Sequence, residues 1–452
     1  MGWQWCGASE GGAQIHFSAK LNASRQSPAH TPPEDWNDMR IAIIGSGIAG
    51  LTCAHVLGQD HDVTVFERDD RPGGHAHTVD VQIGDEEHAV DTGFIVYNER
   101  NYPGLTRLFD RLGVVTKSSD MSFGVSDVRS GLEWSSSSLA TIFAQRRNAL
   151  RPDFLTMLGD IVTFNRRMRR VLRDDAESLR VRDVVERGPW GERFVDWYLA
   201  PMVSAIWSAP LADALDIPAA TFARFFENHG LLSLTGRPRW RTVEGGSRQY
   251  VERITSPLGR RLRLGAVVTK VTRRRDGVEV NSDQYGPETF DHVIMAAHSD
   301  QSLALLSDPT TAEREVLGAL RYQMNSVALH VDDALLPRTP AARASWNYRI
   351  GEDNAGATVT YHMNRLQSID SNYEICVTLN QTDRIAPDKL LAQYDYAHPV
   401  LDAGAVAAQS RFDEINGQGA TWFCGAYWGY GFHEDGVQSA LRVCRALGVD
   451  WT

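Results

Sequence analysis

The segment RIAIIGSGIAG, residues 40–50, decides the fold of this 452-residue chain. Its first part, residues 41–44, is a short apolar run rich in isoleucine and predicts a buried parallel strand. Three glycines follow at the spacing G-x-G-x-x-G, and residues 49–57 have the composition of a helix. A second apolar run, residues 62–66, predicts the next strand. Strand, helix and strand within about 30 residues indicate a βαβ unit.

Each glycine of this turn has a separate physical role in binding a nucleotide. The first permits a tight turn, the second lets the backbone approach a pyrophosphate, and the third lets helix and strand pack closely. The N-terminus of the helix then offers backbone N–H groups to the diphosphate. Glu67 lies 22 residues after Gly45, where a carboxylate accepts hydrogen bonds from ribose hydroxyls. The pattern predicts a dinucleotide site, against the alternative of a glycine-rich turn without a ligand.

The residues after Glu67 narrow the class of dinucleotide. Arg71, Gly73 and Gly74 form an R-x-G-G motif, and residues 91–93 form a D-x-G segment. Both motifs resemble the flavoprotein family of amine oxidases, protoporphyrinogen oxidases and carotenoid desaturases, which bind FAD. The resemblance covers nearly the whole chain from residue 40. It implies an α/β fold, in which a glutathione-reductase-type, Rossmann-like FAD-binding domain carries a mixed-sheet and helical substrate domain.

The resemblance also implies which residues bind FAD, without a covalent bond. Val268 corresponds to a position that contacts adenine through its backbone, and residues 425–437 correspond to a loop that passes under the flavin ring. His75 stands where the family has an arginine, so different contacts are expected near the ribityl chain. The expected cofactor-binding residues are Gly45, Ser46, Gly47, Ile48, Ala49, Gly50, Glu67, Arg68, Arg71, Gly73, Gly74, His75, Thr92, Gly93, Phe94, Ile95, Val268, Ala296, Gly425, Glu434 and Val437.

A wall of ring side chains facing the flavin is the expected catalytic surface. Counted back from Gly436, His433 occupies the place where amine oxidases hold an aromatic residue against the flavin. The further candidates for this wall are Tyr97, Trp240, Trp428 and Tyr430. For each of them, packing in the core is the alternative role.

The resemblance implies a substrate class as well. Residues 93–103, 239–251 and 425–437 resemble a bacterial subgroup of flavoproteins associated with cyclopropane-fatty-acid-synthase-like methyltransferases and with desaturation of methyl-branched or furan fatty acids. It therefore implies an FAD-dependent oxidoreductase that desaturates a fatty acyl chain of a lipid by hydride transfer to flavin N5, with a lipid methyltransferase as partner. The alternatives are a redox-neutral FAD-dependent fatty-acid double-bond isomerase, an amine oxidase-type oxidase and a non-catalytic flavoprotein partner of the methyltransferase.

Lysine and cysteine usage bears on those alternatives. Amine oxidases place a lysine near flavin N5, whereas Lys389, the only lysine in the catalytic half, lies in a polar stretch. Amine oxidase chemistry is therefore disfavoured. The five cysteines are widely spaced without a C-x-x-C motif, so neither a disulfide framework nor a zinc site is indicated, and no metal is expected. The neighbours of Cys424 do not match a flavin attachment motif, which predicts a small buried residue there.

The charge of the chain argues against one class of partner and points to another. A net charge of −11 disfavours nucleic acid as a partner. The sequence has no apolar run of about 18 residues, the length that would predict a membrane span. We expect a cytoplasmic protein. Residues 146–173 carry a net +6 and predict a basic amphipathic helix that binds an anionic surface of the inner membrane, with partial insertion of Phe154 or Phe164. A solvated helix paired with acidic neighbours is the alternative.

Composition divides the chain into six segments. The predicted division is a disordered leader or upstream start at 1–38, a first FAD-binding segment at 39–100, a mainly helical substrate and membrane-facing region at 101–237, a second FAD-binding segment at 238–302, a substrate-domain sheet at 303–415 and a C-terminal FAD-binding segment at 416–452. Within the third segment, the stretch from residue 133 to 175 is predicted to be largely helical.

Overall fold

The computed structural model of the protein describes residues 38–174, 179–208, 214–233, 236–351 and 358–451. The predicted leader at 1–38 lies outside these ranges except for Asp38. The strands are β1 (Arg40–Ile44), β2 (Asp62–Phe66), β3 (Thr78–Ile83), β4 (Glu86–Asp91), β5 (Val96–Asn98), β6 (Thr116–Ser119), β7 (Phe123–Asp127), β8 (Leu132–Ser135), β9 (Trp240–Val243), β10 (Leu262–Arg263), β11 (Val268–Arg274), β12 (Gly277–Ser282), β13 (Gly286–Phe290), β14 (His292–Met295), β15 (Tyr322–His330), β16 (Trp346–Ile350), β17 (Val359–His362), β18 (Cys376–Leu379), β19 (Leu390–Pro399) and β20 (Thr421–Phe423).

The helices alternate with these strands along the chain. They are α1 (Ile48–Leu57), α2 (Pro103–Leu112), α3 (Leu139–Ile142), α4 (Pro152–Asp174), α5 (Val181–Glu186), α6 (Glu192–Phe194), α7 (Ala200–Trp207), α8 (Ala219–Asn228), α9 (Arg248–Thr255), α10 (Ser299–Leu305), α11 (Thr311–Ala319), α12 (Met363–Leu366), α13 (Ala403–Gln409), α14 (Phe412–Ile415) and α15 (His433–Ala446). A π-helical turn, Val195–Leu199, joins α6 to α7.

A five-stranded parallel sheet forms the nucleotide-binding half, in the order β10-β2-β1-β14-β20. The apolar side chains of β1 are buried because the strand lies at the centre of the sheet, between β2 and β14. In register, Ile44 lies opposite both Phe66 and Met295. Strands that are distant in the sequence therefore end at one edge, where α1 begins. The α/β fold with a Rossmann-like sheet is confirmed.

A seven-stranded sheet forms the second half, in the order β19-β15-β18-β17-β16-β7-β8. Its pairings are antiparallel except for β16 with β7, which is parallel. Helices α4, α7 and α8 share one hydrophobic core with this sheet, in which the side chains of Trp134, Trp197 and Phe222 are buried. The predicted combination of a mixed sheet with helices is confirmed.

The prediction that residues 133–175 are largely helical is wrong over its first part. Leu132–Ser135 is strand β8, which pairs with β7, so the third predicted segment contributes two strands to the substrate sheet. The Glu133 carboxylate accepts the backbone N–H groups of Arg338 and Thr339, both at 2.8 Å. Pairing across the sheet therefore overrides the local composition.

The basic helix begins later than predicted. Residues Arg146–Leu150 form a 3₁₀ turn, and Arg151 is extended at φ −95° and ψ 110°. Pro152 is the physical reason, because a residue that precedes proline is driven out of the α region. The predicted helix from residue 146 is therefore α4, Pro152–Asp174.

The predicted insertion of Phe154 or Phe164 into a membrane is wrong. Both side chains are completely buried. Phe154 packs near Trp134, and Phe164 lies edge-on to Trp190 with 5.1 Å between ring centroids. Among the described residues, none of the helices is both long and apolar enough to cross a bilayer.

Candidate active site

A cavity of about 1460 Å³ extends from the edge of the parallel sheet to α7 and α8. Its walls come from both halves of the molecule, including Gly45 and Glu67 at one end and Met202 and Phe225 at the other. Pockets for a single small ligand are usually about 300–1,000 Å³. The cavity therefore has room for a dinucleotide and for part of a second molecule.

The glycine turn forms the nucleotide end of the cavity. Gly47 is the N-cap of α1, and a Cβ atom built on it would meet no atom within 4 Å, because it would point into open space. Gly45 has a φ of +103°, and its Cβ would lie 2.9 Å from the carbonyl oxygen of Ala296. Ile48 and Ala49 begin the helix and also line the cavity. An open cradle at a helix N-terminus fits the diphosphate of a dinucleotide.

Glu67 is fixed at the end of β2 by contacts to its own turn. Its Oε2 accepts the backbone N–H and the hydroxyl of Ser46 at 2.9 and 2.5 Å, and its Oε1 accepts the backbone N–H of Asp69 at 3.0 Å. Ionised carboxylate oxygens can accept further hydrogen bonds. Glu67 and Arg68 both line the cavity, as Val268 does from β11. This is where a ribose and an adenine would bind.

The R-x-G-G motif forms the adjoining wall. Gly73 and Gly74 have φ values of +111° and +57°, and the guanidinium of Arg71 donates to the carbonyl oxygen of Gly74 at 3.0 Å. This turn brings Gly74 against Gly47, since a Cβ on Gly74 would lie 3.2 Å from the Gly47 Cα atom. His75 follows and lines the cavity, and its Nε2 atom is buried without a hydrogen-bond partner.

Sequence reasoning missed the histidines that surround His75. The His75 ring lies 5.4 Å from the ring of His398 and 6.2 Å from that of His298. Burial lowers the pKa of His75 well below its usual range, with the neighbouring histidines as a further cause, and it lowers the pKa of His398 to about 4. His398 Nδ1 accepts from the side-chain amide of Asn325 at 3.0 Å. These residues come from separate segments of the sequence, so no local motif predicts that they lie close together.

Three of the predicted wall residues, His433, Tyr430 and Trp240, line the cavity. The His433 ring is stacked on Phe94 with 3.7 Å between centroids, and the Tyr250 hydroxyl lies 3.2 Å from His433 Nε2. Burial lowers the pKa of His433 to about 3, so the ring is neutral at physiological pH.

Tyr97 and Trp428 lie outside the cavity wall. The Tyr97 ring is edge-on to Phe109 with 5.2 Å between centroids, and its hydroxyl donates to Thr116 at 3.2 Å. The Trp428 ring is edge-on to Phe412 at 4.8 Å. The Tyr97 side chain is buried and the Trp428 side chain is partly buried, so both pack against neighbouring side chains, which is the alternative role stated for them.

The predicted cofactor-binding residues fall into two groups. Those lining the cavity are Gly45, Ser46, Gly47, Ile48, Ala49, Glu67, Arg68, Arg71, Gly74, His75, Gly93, Phe94, Ile95, Val268, Ala296 and Gly425. Those behind its wall are Gly50, Gly73, Thr92, Glu434 and Val437. Thr92 bonds to the Tyr396 hydroxyl at 2.7 Å, and Glu434 accepts the backbone N–H groups of Gly104 and Leu105 at 2.9 Å each. These residues support the site instead of lining it.

One wall at the far end of the cavity is apolar, although serines and arginines also line the cavity. The apolar wall is formed by Tyr198, Met202, Ile206, Trp207, Phe225 and Leu231. His229 lies among them, and its Nδ1–H donates to the carbonyl oxygen of Phe225 at 2.9 Å, which leaves Nε2 as an acceptor. Burial lowers the pKa of His229 to about 4. Sequence reasoning missed this residue because an isolated histidine carries no motif.

Lysine and metal ligands are not part of this cavity in the described part of the chain. Lys389 donates to Asp332 at 3.0 Å, outside the lining residues, and no described lysine lines the cavity. The described residues contain no group of three or more histidine, cysteine, aspartate or glutamate side chains placed to hold a metal ion.

Known structures resemble the whole fold. A cyclohexylamine oxidase from Brevibacterium oxydans matches with a TM-score of 0.64 at 15% identity, over 91% of this chain and 98% of that protein. A fatty acid isomerase from P. acnes that produces CLA matches with a TM-score of 0.60 at 15% identity, over 90% of this chain and 98% of that protein. At this identity the likeness concerns the fold alone.

Sequence comparison is more specific. A provisionally named flavin-containing monoamine oxidase, AofH, of Mycobacterium tuberculosis is 28% identical over 284 residues, which are 60% of this chain and 59% of that relative. The profile of the family described as "Flavin containing amine oxidoreductase" matches residues 48–332, more than half of the chain. That match begins inside the glycine turn, after Gly47, and covers Gly50, the R-x-G-G motif and most of the cavity wall. The chain belongs to the flavin-containing amine oxidoreductase family.

Proposed function

We propose that the protein is an FAD-dependent oxidoreductase that desaturates a fatty acyl chain of a lipid. The observation that carries the proposal is the apolar wall at the far end of the cavity, which is continuous with the nucleotide end and built mainly from α7, α8 and the π-helical turn before α7. The hydrocarbon part of an acyl chain needs such a wall, because it offers no polar group to bind. The fold shared with a fatty acid isomerase and the sequence resemblance described above support the same substrate class.

Noncovalent FAD is the cofactor that the nucleotide end supports. The open cradle at Gly47 fits the diphosphate, and the fixed carboxylate of Glu67 fits a ribose. Cys424 is completely buried with its Sγ atom 3.9 Å from that of Cys53, so its thiol does not face the cavity. When bound, FAD supplies the acceptor for a hydride.

Desaturation removes a hydride and a proton from adjacent carbons, so the protein must also hold the proton. His229 is the residue placed for this, because its Nδ1–H is engaged by Phe225 and its Nε2 carries a free lone pair. Its lowered pKa keeps the ring neutral at physiological pH. The ring of His229 is stacked on the ring of Phe225, with 3.9 Å between centroids. This stacking fixes the orientation of His229 beside the acyl chain. The surrounding apolar side chains exclude water.

A redox-neutral double-bond isomerase is the second candidate, favoured by the shared fold with the fatty acid isomerase. An isomerase would use the same apolar wall and the same histidine, His229, but the hydride would return to the acyl chain. Amine oxidation is the activity in the name of the relative from M. tuberculosis. It is disfavoured because amine oxidases place a lysine near flavin N5, and no described lysine lines this cavity.

Anaerobic mixing with lipids separates these functions. We expect loss of the oxidised flavin absorbance and a product lighter by two hydrogens. A rearranged product with oxidised flavin would instead identify the isomerase. Reduction by primary amines and by none of the acyl lipids would overturn the proposal. Mass spectrometry of lipids that co-purify with the protein selects the acyl chains to test.

His229→Phe tests the proton acceptor directly. We expect flavin reduction to slow by at least about 100-fold, the usual contribution of a general base, with the flavin spectrum unchanged. His61→Phe is the matched control, because His61 is buried directly before β2, away from the cavity. Equal rates in the two variants would remove His229 from the mechanism.

We also propose a lipid methyltransferase as partner, supported only by the sequence resemblance of residues 93–103, 239–251 and 425–437. A purified methyltransferase of that subgroup should elute together with the protein in gel filtration. Separate elution of the two at micromolar concentrations would contradict this.

A further inference from the structure

We propose that the solvent-facing side of α4 and the segment before it dock on an anionic phospholipid surface. We name this surface the docking face. Its residues are Leu139, Leu150, Leu155, Arg166, Arg167, Arg170 and Arg173. The proposal rests on the proposed function for its biological purpose, because an acyl chain attached to a phospholipid must be reached at the bilayer.

The arginines of the docking face are free of ion pairs in the described part of the chain. Arg166, Arg167, Arg170 and Arg173 are all exposed, and none has a described carboxylate within 4 Å. Arg169 differs, since it donates to Glu227 at 3.2 Å. The exposed residues of α4 include no described carboxylate. Four unpaired positive charges on one side of a helix stand out on a chain of net charge −11.

Three exposed leucines lie in or before the first turns of α4. Leu139, Leu150 and Leu155 are 76%, 85% and 45% exposed. Leu150 ends the 3₁₀ turn directly before α4. Contact between Phe143 and Phe154, with 6.0 Å between ring centroids, places α3 beside the first turn of α4. Leu155 and Arg166 lie on the same side of α4, about 16 Å apart along its axis. Apolar and basic side chains on one side of a helix match a surface that is anionic at its headgroups and apolar beneath them.

The docking face adjoins the cavity. Ser136 and Ser137 line the cavity, and α3 begins with Leu139 only two residues later. Docking through the leucines would therefore bring this rim of the cavity towards the bilayer. The surface is built differently from the prediction made above, since the leucines replace Phe154 and Phe164 as the apolar contacts.

The arginines are tested by charge reversal. Each arginine near an anionic surface contributes about fivefold in affinity, within a Debye length of about 8 Å at physiological salt. We expect Arg166→Glu with Arg170→Glu to reduce co-sedimentation with phosphatidylcholine–phosphatidylglycerol vesicles at least about tenfold. The matched control is Arg260→Glu with Arg275→Glu, which are also exposed and have no described carboxylate within 4 Å. Binding of the wild type should be weak to pure phosphatidylcholine and should fall with salt.

The leucines are tested by Leu139→Ala, Leu150→Ala and Leu155→Ala together. We expect this variant to bind vesicles more weakly than the wild type at both low and high salt. An unchanged flavin spectrum is the check on folding. Val115→Ala with Leu264→Ala, at exposed sites elsewhere, is the control. Equal binding of the wild type and both test variants to anionic vesicles, or equal losses in test and control variants, would overturn the docking face.

Vesicle binding is measured without turnover, so the two proposals can fail separately. A protein that docks as described but reduces its flavin only with amines would overturn the proposed function alone. The docking face alone would be overturned if the protein desaturates detergent-dispersed lipid and the arginine and leucine variants bind vesicles as strongly as the wild type.

Discussion

At the scale of single residues, Gly47 and Gly50 of one motif are glycines for opposite reasons. A Cβ on Gly47 would point into the open cavity, whereas a Cβ on Gly50 would lie 2.0 Å from the carbonyl oxygen of Gly45. We expect Gly47→Val to fold normally and to purify without FAD. Gly50→Ala should lower the free energy of unfolding by about 3 kcal/mol, the upper end of the usual cost of overpacking, because backbone atoms must move. Denaturant unfolding and the flavin-to-protein ratio measure both effects, and a yellow Gly47→Val protein would contradict the cradle.

At the scale of elements, Glu434 holds two helices together. It lies in the first turn of α15 and accepts the first backbone N–H groups of α2, those of Gly104 and Leu105. A carboxylate there satisfies two donors that have no partner within their own helix and interacts favourably with the helix dipole. Its pKa is raised, mainly by burial.

We expect Glu434→Ala to lower the free energy of unfolding by about 2–4 kcal/mol, since two hydrogen bonds to a charged group are lost. Glu434→Gln, which keeps one acceptor oxygen, should cost less. Thermal unfolding of the FAD-bound protein measures the difference, with Glu252→Ala on the exposed side of α9 as the control. A Glu434→Ala protein of normal stability that lacks FAD would show that this carboxylate binds the cofactor directly.

At the scale of the whole molecule, buried histidines set the pH dependence of stability. The folded protein lowers the pKa of many histidines, including His75. The pKa falls to about 4 for His77, His229, His330 and His398 and to about 3 for His433. The unfolded chain therefore binds more protons at these sites as the pH falls below about 6.5. Asp91 and Asp435 act in the opposite direction, because burial raises their pKa values to about 6 and about 7.

Since the histidines outnumber those two acids, we expect the Tm of the FAD-bound protein to rise between pH 5 and pH 6.5. Differential scanning fluorimetry at constant ionic strength and saturating FAD measures it. A Tm that falls over this interval would mean that the two aspartates dominate, and a flat profile would mean that the histidines are hydrated in the folded state.

The sequence by itself determined the nucleotide-binding unit. The strand at residues 62–66 has the predicted bounds, and β1 and α1 begin within one residue of theirs. Their turn, Gly45 to Gly50, is held largely by contacts within the βαβ unit, such as the hydrogen bond between Glu67 and Ser46. Local spacing carries such information because glycine geometry and strand burial act over a few residues.

Only the tertiary structure decided the rest of the site. It assembled His75, His298 and His398 from distant segments, placed His229 in the apolar wall, and turned Tyr97 away from the cavity. It also buried Phe154 and Phe164 on the inner side of α4 and left the leucines exposed. The physical reason is that a pattern of apolar residues predicts that a side chain is buried, but it does not predict which other side chains pack against it. That choice is made by the packing of helices on the seven-stranded sheet.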